Sequence, residues 1–326
     1  MVIVNIENIL NLINDDLNKF ESELYKYVDS EIEMANEVAS YTLKSGGKRL
    51  RPILLILTSH LLNFYDTRIY KIASVIEYIH TATLLHDDII DGAKYRRGKV
   101  SANNKFGNDI VVLCGDFLYS RAFINLVEDG NSEVQMILAN AAKTMSEGEI
   151  YQLVKTADFN MTIDNYLKII HSKTAILMSA CCEISAILSN KIELRPVLKK
   201  LGELIGIIFQ INDDILDYLG DKKKTGKKTG TDLKEGKMTL PLILLKNNAN
   251  ENDLKIFKEI FFKKTINKKD LNTIVELLIK YSIKDKAYNF INSFILHSNE
   301  LLAKLPSNIY NDCLQFIVSY AANRDS

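Results

Sequence analysis

Long segments with a helical repeat of apolar residues run through nearly the whole chain, and few residues interrupt them. The 326 residues include only 14 Gly and 4 Pro, and 47% are apolar. Because Gly and Pro are the strongest helix breakers, this sequence favours long helices, and strand-type alternation is scarce. Helical periodicity covers residues 3–29, 51–62, 69–91, 109–127, 132–153, 163–188 and 193–218, and several segments between 252 and 322. The sequence predicts an all-α fold, with residues 1–326 forming one domain around a central apolar cavity.

Charge and cysteine usage limit the class of protein. Lys plus Arg and Asp plus Glu both number 41, so the overall field favours neither nucleic acid nor an acidic partner. The N-terminal residues lack the basic segment and cleavage site of an export signal, and the uninterrupted apolar runs are too short to span a bilayer. We therefore expect a soluble, cytoplasmic protein with at most transient membrane contact. The cysteines form no C-x-x-C pair and are expected to be buried reduced thiols: Cys114, Cys181, Cys182 and Cys313.

Two copies of one acidic pattern occur at the ends of apolar helical segments, at Asp87–Asp91 (DDIID) and Asp213–Asp217 (DDILD). On a helix that turns about 100° per residue, the three aspartates of each copy share one face. Their mutual repulsion and apolar flanks require a compensating cation. Mg²⁺ suits such oxygen ligands and usually keeps phosphate oxygens and waters in its coordination shell. Since a basic loop follows each copy, we expect the two helices to face each other across one cavity.

Three basic segments accompany the acidic copies. Gly46–Pro52 (GGKRLRP) combines two glycines with three cations just before a helix, and Lys94–Lys99 (KYRRGK) carries two adjacent Arg. The segment from Asp221 to Lys237 holds seven Lys against three acids. It is not a nucleotide P-loop, because Lys228 stands where that motif needs Ser or Thr. Together these segments predict a cavity for Mg²⁺-bound diphosphates with an apolar organic part.

Taken in order, six segments resemble the motif set of trans-polyprenyl diphosphate synthases. They are Gly46–Pro52, Leu84–Asp91 with Arg96–Gly98, Gly115–Leu118, Lys173–Ala175, Phe209–Asp217 and Gly226–Pro241. Within that family, and including Glu77–Thr83, the chain most resembles bacterial long-chain, octaprenyl-type synthases. The resemblance implies an isoprenoid-synthase-type helical bundle. It also implies a prenyltransferase that condenses isopentenyl diphosphate head-to-tail onto an allylic primer, farnesyl diphosphate, for ubiquinone or menaquinone side chains.

The resemblance also implies roles for individual residues. Asp87, Asp91 and Asp213 would hold three Mg²⁺ on the allylic diphosphate, and further ligands or ligand-orienting groups would be Asp88, Asp214 and Asp217. The same diphosphate would be bound by Arg96, Lys173, Lys227 and Lys237. Isopentenyl diphosphate would be bound by Lys48, Arg51, His80 and Arg97. Thr174 and Gln210 would point oxygen atoms at the transient carbocation, which forms when pyrophosphate leaves.

Product length is expected to depend on Ala82 and Thr83, which lie about one turn before Asp87 on the same helix face. Small side chains there leave room for a growing tail, whereas aromatic residues at these positions mark short-chain members of the family. Tyr78 and Phe123 are candidates for the floor of the tunnel.

Alternative functions are a shorter-chain farnesyl or geranylgeranyl synthase, a terpene cyclase or head-to-head condensing enzyme, and a non-catalytic partner subunit of a heteromeric synthase. Two intact acidic copies argue against the cyclase and the partner subunit. We expect a homodimer formed through apolar helix faces.

Overall fold

The computed structural model describes residues 5–26, 28, 30–220 and 230–323, and these are almost entirely helical. The helices are α1 (Ile6–Leu12), α2 (Asn14–Lys26), α3 (Glu33–Leu43), α4 (Leu50–Leu61), α5 (Arg68–Ile90), α6 (Ala102–Phe106), α7 (Asn108–Asp129), α8 (Ser132–Val154), α9 (Ile163–Ile170), α10 (Ile176–Leu188), α11 (Arg195–Leu219), α12 (Thr231–Lys234), α13 (Leu240–Asn248), α14 (Glu251–Phe261), α15 (Lys268–Lys280), α16 (Ile283–Leu302) and α17 (Ile309–Asn323). A π-helical turn, His171–Ala175, joins α9 to α10, and a 3₁₀ turn, Ile192–Leu194, precedes α11. The all-α prediction is confirmed.

Most helix bounds follow signals that the sequence carries. Asn5, Thr162 and Asn250 precede α1, α9 and α14, and each side chain accepts a hydrogen bond from a backbone N–H in the first turn. Pro241 occupies the first turn of α13, where a missing N–H costs nothing. The structure differs from the expectation in several places. The first helix breaks at Ile13, and the segment predicted as one helix over 163–188 contains the π-helical turn. Helices α3 and α13 form in segments that were not predicted to be helical.

The loop expected over residues 92–106 has a compact structure of its own. Strands β1 (Tyr95–Arg96) and β2 (Lys99–Val100) form a two-residue antiparallel hairpin, with Tyr95 opposite Val100. Arg97 and Gly98 occupy the turn, and both have positive φ. Such a turn needs a left-handed backbone conformation, which glycine adopts readily, and Gly98 supplies it. The hairpin carries Arg96 and Arg97 back toward the end of α5.

Contacts group the chain into two compact units, each made of several segments. The first unit comprises Met1–Ala142, Leu177–Gly202 and Leu305–Leu314, and the second comprises Lys143–Ile176, Glu203–Lys304 and Gln315–Ser326. In the first unit, α5 packs against α2, α4 and α7 and is buried along most of its length. In the second unit, α13 packs against α9, α15 and α16. One acidic copy therefore lies in each unit.

Helix α7 differs from the expectation for membrane segments. Among the described residues it is the one helix long and apolar enough to cross a bilayer by length and composition, with a mean hydropathy of 1.6. Of its most apolar window, 39% is buried within the chain, and α7 packs on α5 as the core helix of a globular protein does.

Candidate active site

The first acidic copy ends helix α5 in the first unit. Asp88 is 2% exposed, Asp87 is half-buried, and Asp91 follows the last turn of the helix and is exposed. Arg96 Nε, from the hairpin, donates to Asp88 Oδ1 at 2.6 Å. Burial raises the pKa of Asp88, and the Arg96 guanidinium opposes that shift. Asp88 is thus neutralised by a protein cation, whereas Asp87 and Asp91 lie toward solvent.

Helix α7 approaches α5 closely beside this copy because Gly115 has no side chain. A Cβ atom on Gly115 would lie 2.2 Å from His86 Nε2, so the imidazole ring would have to move. His86 Nε2 lies 3.1 Å from the carbonyl oxygen of Val112, so its role is to join the two helices. The close approach brings Tyr119 near Asp87, and burial together with Asp87 raises the pKa of Tyr119 to about 12. The sequence analysis did not single out Tyr119.

A cluster of cations lies in the first unit, beside the middle of α5. The carboxylate of Glu77, a residue that is 4% exposed, interacts electrostatically with the guanidinium groups of Arg49, Arg51 and Arg97, and the same three groups act on His80. Burial lowers the pKa of His80 well below its usual value, and the neighbouring guanidinium groups lower it further, so His80 is neutral at pH 7. Lys48 is exposed on the preceding loop. Three of the four residues predicted to bind isopentenyl diphosphate therefore come together: Arg51, His80 and Arg97.

The chain-length residues lie further along α5. Ala82 is fully buried, and Thr83 is half-buried with its hydroxyl donating to the carbonyl oxygen of His80 at 2.8 Å. Tyr78 is fully buried and donates its hydroxyl hydrogen to the carbonyl oxygen of Leu24, whereas Phe123 is 48% exposed on α7. In the isolated chain, Tyr78 is a core residue and Phe123 lies at the surface.

The second acidic copy lies near the end of α11, in the second unit. Asp214 is 6% exposed, and both of its oxygens accept hydrogen bonds: Oδ2 from Tyr166 at 2.6 Å and Oδ1 from Gln210 Nε2 at 2.9 Å. Burial raises the pKa of Asp214 to about 7, and these two donors oppose the shift. Gln210 Oε1 in turn accepts from the Thr174 hydroxyl at 2.7 Å. Two of the predicted residues and the aspartate thus form one hydrogen-bonded chain.

The remaining aspartates of this copy differ in their surroundings. Asp213 is half-buried. Asp217 accepts hydrogen bonds from the backbone N–H groups of Thr231 and Asp232, both at 3.1 Å, so its carboxylate caps the short helix α12. This contact fixes Thr231 and Asp232 within the Lys-rich segment. Lys227 lies outside the described residues.

Helix irregularity explains how Lys173 and Thr174 reach this site. The π-helical turn His171–Ala175 adds a residue to the turn and changes the face on which these side chains lie. Lys173 Nζ lies 2.7 Å from Glu149 Oε1, and Lys237 Nζ lies 2.7 Å from Glu235 Oε2. A cavity of about 100 Å³ adjoins them, and it is lined by Gln152, Lys155, Thr156, Met161, Tyr166, Ile169, Ile170, Lys173, Gln210, Asp214, Asp232, Lys237, Met238 and Thr239.

Several residues of the site were missed by the sequence analysis. Tyr166 precedes Lys173 by seven residues, but the π-helical turn at His171–Ala175 interrupts the regular helical spacing between them, so this spacing does not identify Tyr166. Glu149 and Asp232 also carry no identifying signal, since each meets its partners only through the fold. Glu77 was noted within a motif but given no role.

The donor set is compatible with Mg²⁺ that is held together with a diphosphate. Across residues 5–26, 28, 30–220 and 230–323, no three His, Cys, Asp or Glu side chains converge on a single ion position. Each acidic copy nevertheless presents carboxylates toward solvent, and Mg²⁺ usually takes only one or two carboxylates with phosphates and waters. Asp88 and Asp214 are instead occupied by donors of the protein. The residues present therefore fit an ion whose coordination is completed by substrate.

The chain is similar to known proteins over most of its length. A profile described as Polyprenyl synthetase matches residues 32–278. The octaprenyl diphosphate synthase of Escherichia coli (strain K12) is 39% identical over 241 residues, 74% of this chain and 75% of that protein. A short chain isoprenyl diphosphate synthase of Methanocaldococcus jannaschii is 36% identical over 249 residues, 75% of this chain and 76% of that protein. A crystal structure of polyprenyl synthase from Caulobacter crescentus, complexed with calcium and isoprenyl diphosphate, has a TM-score of 0.94 at 32% identity, and the match covers 99% of this chain and 98% of that one.

Proposed function

From the premise that this chain belongs to the polyprenyl synthetase family and is a trans-prenyl diphosphate synthase, we propose that it makes a long, octaprenyl-type product. The primer is an allylic diphosphate, farnesyl diphosphate, which is extended head-to-tail with isopentenyl diphosphate. The observation that supports the reaction is the cation cluster of the first unit, in which Arg49, Arg51 and Arg97 act on the buried acid Glu77 and on the neutral His80. Because this cluster has excess positive charge, it suits a diphosphate. The long product is proposed from the similarity to octaprenyl diphosphate synthases and from the small side chains of Ala82 and Thr83.

The reaction divides between the acidic copies and the cation cluster. Mg²⁺, when bound with the allylic diphosphate, would act as a Lewis acid that stabilises pyrophosphate as the leaving group. Asp87, Asp91 and Asp213 are the proposed ligands, and Asp88 and Asp214 are held by protein donors beside them. Lys173 binds the same diphosphate, and exchanges its contact with Glu149 for it. The number of ions, three, is part of the proposal.

The polar side chains next to Asp214 act on the developing positive charge. The hydrogen bond from Thr174 to Gln210 and the one from Gln210 to Asp214 fix the orientation of the amide. An oriented dipole stabilises charge without reorganising during the reaction. Arg51, Arg97 and His80 hold isopentenyl diphosphate so that its double bond meets the allylic cation, which supplies proximity.

The length of the product is proposed to depend on Ala82 and Thr83. Neither side chain is large, and Ala82 lies on α5 five residues before Asp87, so a tail that starts at the aspartates passes this position. Small side chains here favour extension. A farnesyl or geranylgeranyl product remains the alternative, and the relatives include both octaprenyl and short chain enzymes.

We further propose that the enzyme is a cytoplasmic homodimer that joins through the exposed apolar face of α7. Leu113, Ile124 and Val127 recur at helical spacing on that face, with 66%, 46% and 71% of each residue exposed. Met136 at the start of α8 is 61% exposed. Apolar side chains repeated in this way favour a second apolar surface, and a second copy of the chain provides the same one.

The experiment is incubation of the purified protein with farnesyl diphosphate, radiolabelled isopentenyl diphosphate and Mg²⁺, followed by separation of dephosphorylated products by length. We expect a ladder ending near the octaprenyl alcohol. A farnesyl or geranylgeranyl product from a shorter primer would keep the reaction and reject the long product. Absence of incorporation by folded protein would favour the non-catalytic partner subunit.

A further inference from the structure

Glu77 is a buried carboxylate within a group of cations, and no role in the reaction has been given to it. It lies on α5 with 4% of its surface exposed. Its Oε2 accepts a hydrogen bond from Arg49 Nη1 at 2.8 Å. It also interacts electrostatically with the guanidinium groups of Arg51 and Arg97. A buried carboxylate among several guanidinium groups reduces their mutual repulsion and so keeps them close together.

Arg49 connects this acid to the loop that carries Lys48 and to the first turn of α4, which carries Arg51. Its Nε donates to Glu21 at 3.0 Å and its Nη2 donates to the carbonyl oxygen of Leu43 at 2.9 Å, in addition to its bond with Glu77. Its backbone φ is +48°, a left-handed conformation that is unfavourable for a side chain of this size. The three side-chain contacts hold this conformation immediately before α4 begins at Leu50. The direction in which the next residues leave the loop therefore depends on Arg49.

The surroundings of Arg51 and Arg97 favour the binding of an anion. Arg51 Nε is buried and has no hydrogen-bond partner among the described residues. A Cβ atom on Gly47 would lie 2.8 Å from Arg97 Nη1, so the glycine lets the loop backbone rest against that guanidinium. A buried donor without a partner is unfavourable unless an acceptor arrives. These features indicate a position for an anion beside Arg51 and Arg97.

We propose that Glu77 and Arg49 are a positioning pair for isopentenyl diphosphate. They do not touch the substrate: Arg49 fixes the loop, and Glu77 fixes Arg49 and gathers Arg51 and Arg97 around the site. This inference rests on the proposed function, because it assumes that the cluster binds isopentenyl diphosphate. The inference predicts that the affinity for isopentenyl diphosphate depends on the buried carboxylate of Glu77. The affinity for the allylic primer does not depend on it.

The test is binding of isopentenyl diphosphate to the full chain by calorimetry, combined with steady-state kinetics for both substrates. Glu77→Gln keeps the shape and removes the charge, so it weakens a charge-assisted hydrogen bond. We expect the Kd and KM for isopentenyl diphosphate to rise about tenfold or more, with the KM for farnesyl diphosphate unchanged within about twofold. Arg49→Gln should give the same pattern. The double variant should be little worse than either single one, because both remove one interaction.

A matched control is Glu183→Gln, which removes another buried carboxylate paired with an Arg in the first unit. Glu183 is 3% exposed and accepts from Arg195 Nε at 2.8 Å, but it lies outside the proposed site. This variant should leave both KM values unchanged. Glu77→Asp, which restores the charge, should recover part of the affinity. A purely structural role of Glu77 would instead lower the melting temperature and affect both substrates equally.

The outcomes separate this inference from the proposed function. If the wild-type chain binds isopentenyl diphosphate without turnover, the proposed catalysis fails while the Kd values still test the pair. If wild-type protein turns over both substrates and Glu77→Gln changes neither the Kd nor the KM for isopentenyl diphosphate, the pair is rejected and the function stands. Wild-type protein that neither binds nor reacts would reject both.

Discussion

At the scale of the residue, each acidic copy contains an aspartate whose charge the protein itself compensates. Asp88 pairs with Arg96, and Asp214 accepts from Tyr166 and Gln210. Asp91 is exposed, and Asp87 and Asp213 are half-buried. The family resemblance assigned the direct metal contacts to Asp87, Asp91 and Asp213. This assignment remains a prediction until metal binding is measured.

The contact between Tyr166 and Asp214 makes a prediction about activity. Tyr166→Phe removes a 2.6 Å hydrogen bond to a buried carboxylate whose pKa burial has already raised to about 7. A hydrogen bond to a charged group contributes about 1.5–3 kcal/mol, so we expect kcat/KM for the allylic primer to fall about tenfold to hundredfold. Steady-state assays at varied Mg²⁺ measure the effect.

Tyr151→Phe is the control for this substitution. Tyr151 lies in the same unit and donates its hydroxyl hydrogen to Asn165 Oδ1 at 2.9 Å, a neutral partner. Its loss should change kcat/KM by less than about twofold, since a bond between neutral groups contributes about 1 kcal/mol to stability and none to the site. Equal effects of the two variants would show that Tyr166 supports the fold alone.

At the scale of the element, α5 carries most of the predicted chemistry on one continuous helix. It spans Arg68–Ile90 and bears Glu77, His80, Ala82 and the first aspartates. Its position on α7 depends on Gly115, which lets the two helices approach closely at His86. One helix therefore sets the distances between the cation cluster, the proposed path of the tail and the aspartates.

The placement of Ala82 on this helix predicts product length. Ala82→Phe adds an aromatic ring about one turn from Asp87, where the growing tail is proposed to pass. We expect the longest product to shorten by several isoprene units while the first condensation continues. Ala73→Phe is the control, because Ala73 is equally buried on α5 but lies more than two turns further from the aspartates. The product ladder with farnesyl diphosphate measures both.

Two outcomes would count against this placement. One is an unchanged ladder from folded Ala82→Phe protein. The other is equal shortening by both variants, which would indicate a general effect of overpacking the core. Melting temperatures of both variants identify overpacking independently of product length.

The sequence predicts the positions of the helices better than the irregular turns and caps within and between them. The sequence places α5 and α7 within one or two residues of their bounds, because each is rich in apolar residues along its length and contains no Pro. The π-helical turn at His171–Ala175 and the capping of α12 by Asp217 were not predicted. The π-helical turn adds a residue to the helix without changing the helix propensity of the segment. The cap joins Asp217 to residues that lie about fourteen positions later in the chain. The acidic copies were found because two carboxylates beside apolar residues are unusual, whereas Asp232 and Glu149 have ordinary local surroundings.

At the scale of the whole molecule, the exposed face of α7 is the feature that the single chain leaves unexplained. The helix is apolar enough to meet the criterion for crossing a bilayer, yet one side packs on α5. The chain has equal numbers of acidic and basic residues, so net charge does not oppose self-association. A homodimer would remove this face from water.

Sedimentation of charged variants tests the dimer. Leu113→Lys combined with Val127→Lys places two cations on the α7 face, where 66% and 71% of these residues are exposed in the single chain. Burying an unpaired ammonium in an apolar interface costs several kcal/mol, so we expect a dimer for the wild-type chain and a monomer for the variant at micromolar concentration. Leu296→Lys, at a residue that is 65% exposed on α16, should leave the dimer intact.

A monomeric wild-type chain, or a variant that still sediments as a dimer, would exclude this face as the interface. Because the substituted residues are exposed, a lower melting temperature of the variant would itself indicate that the face is buried in the assembled protein.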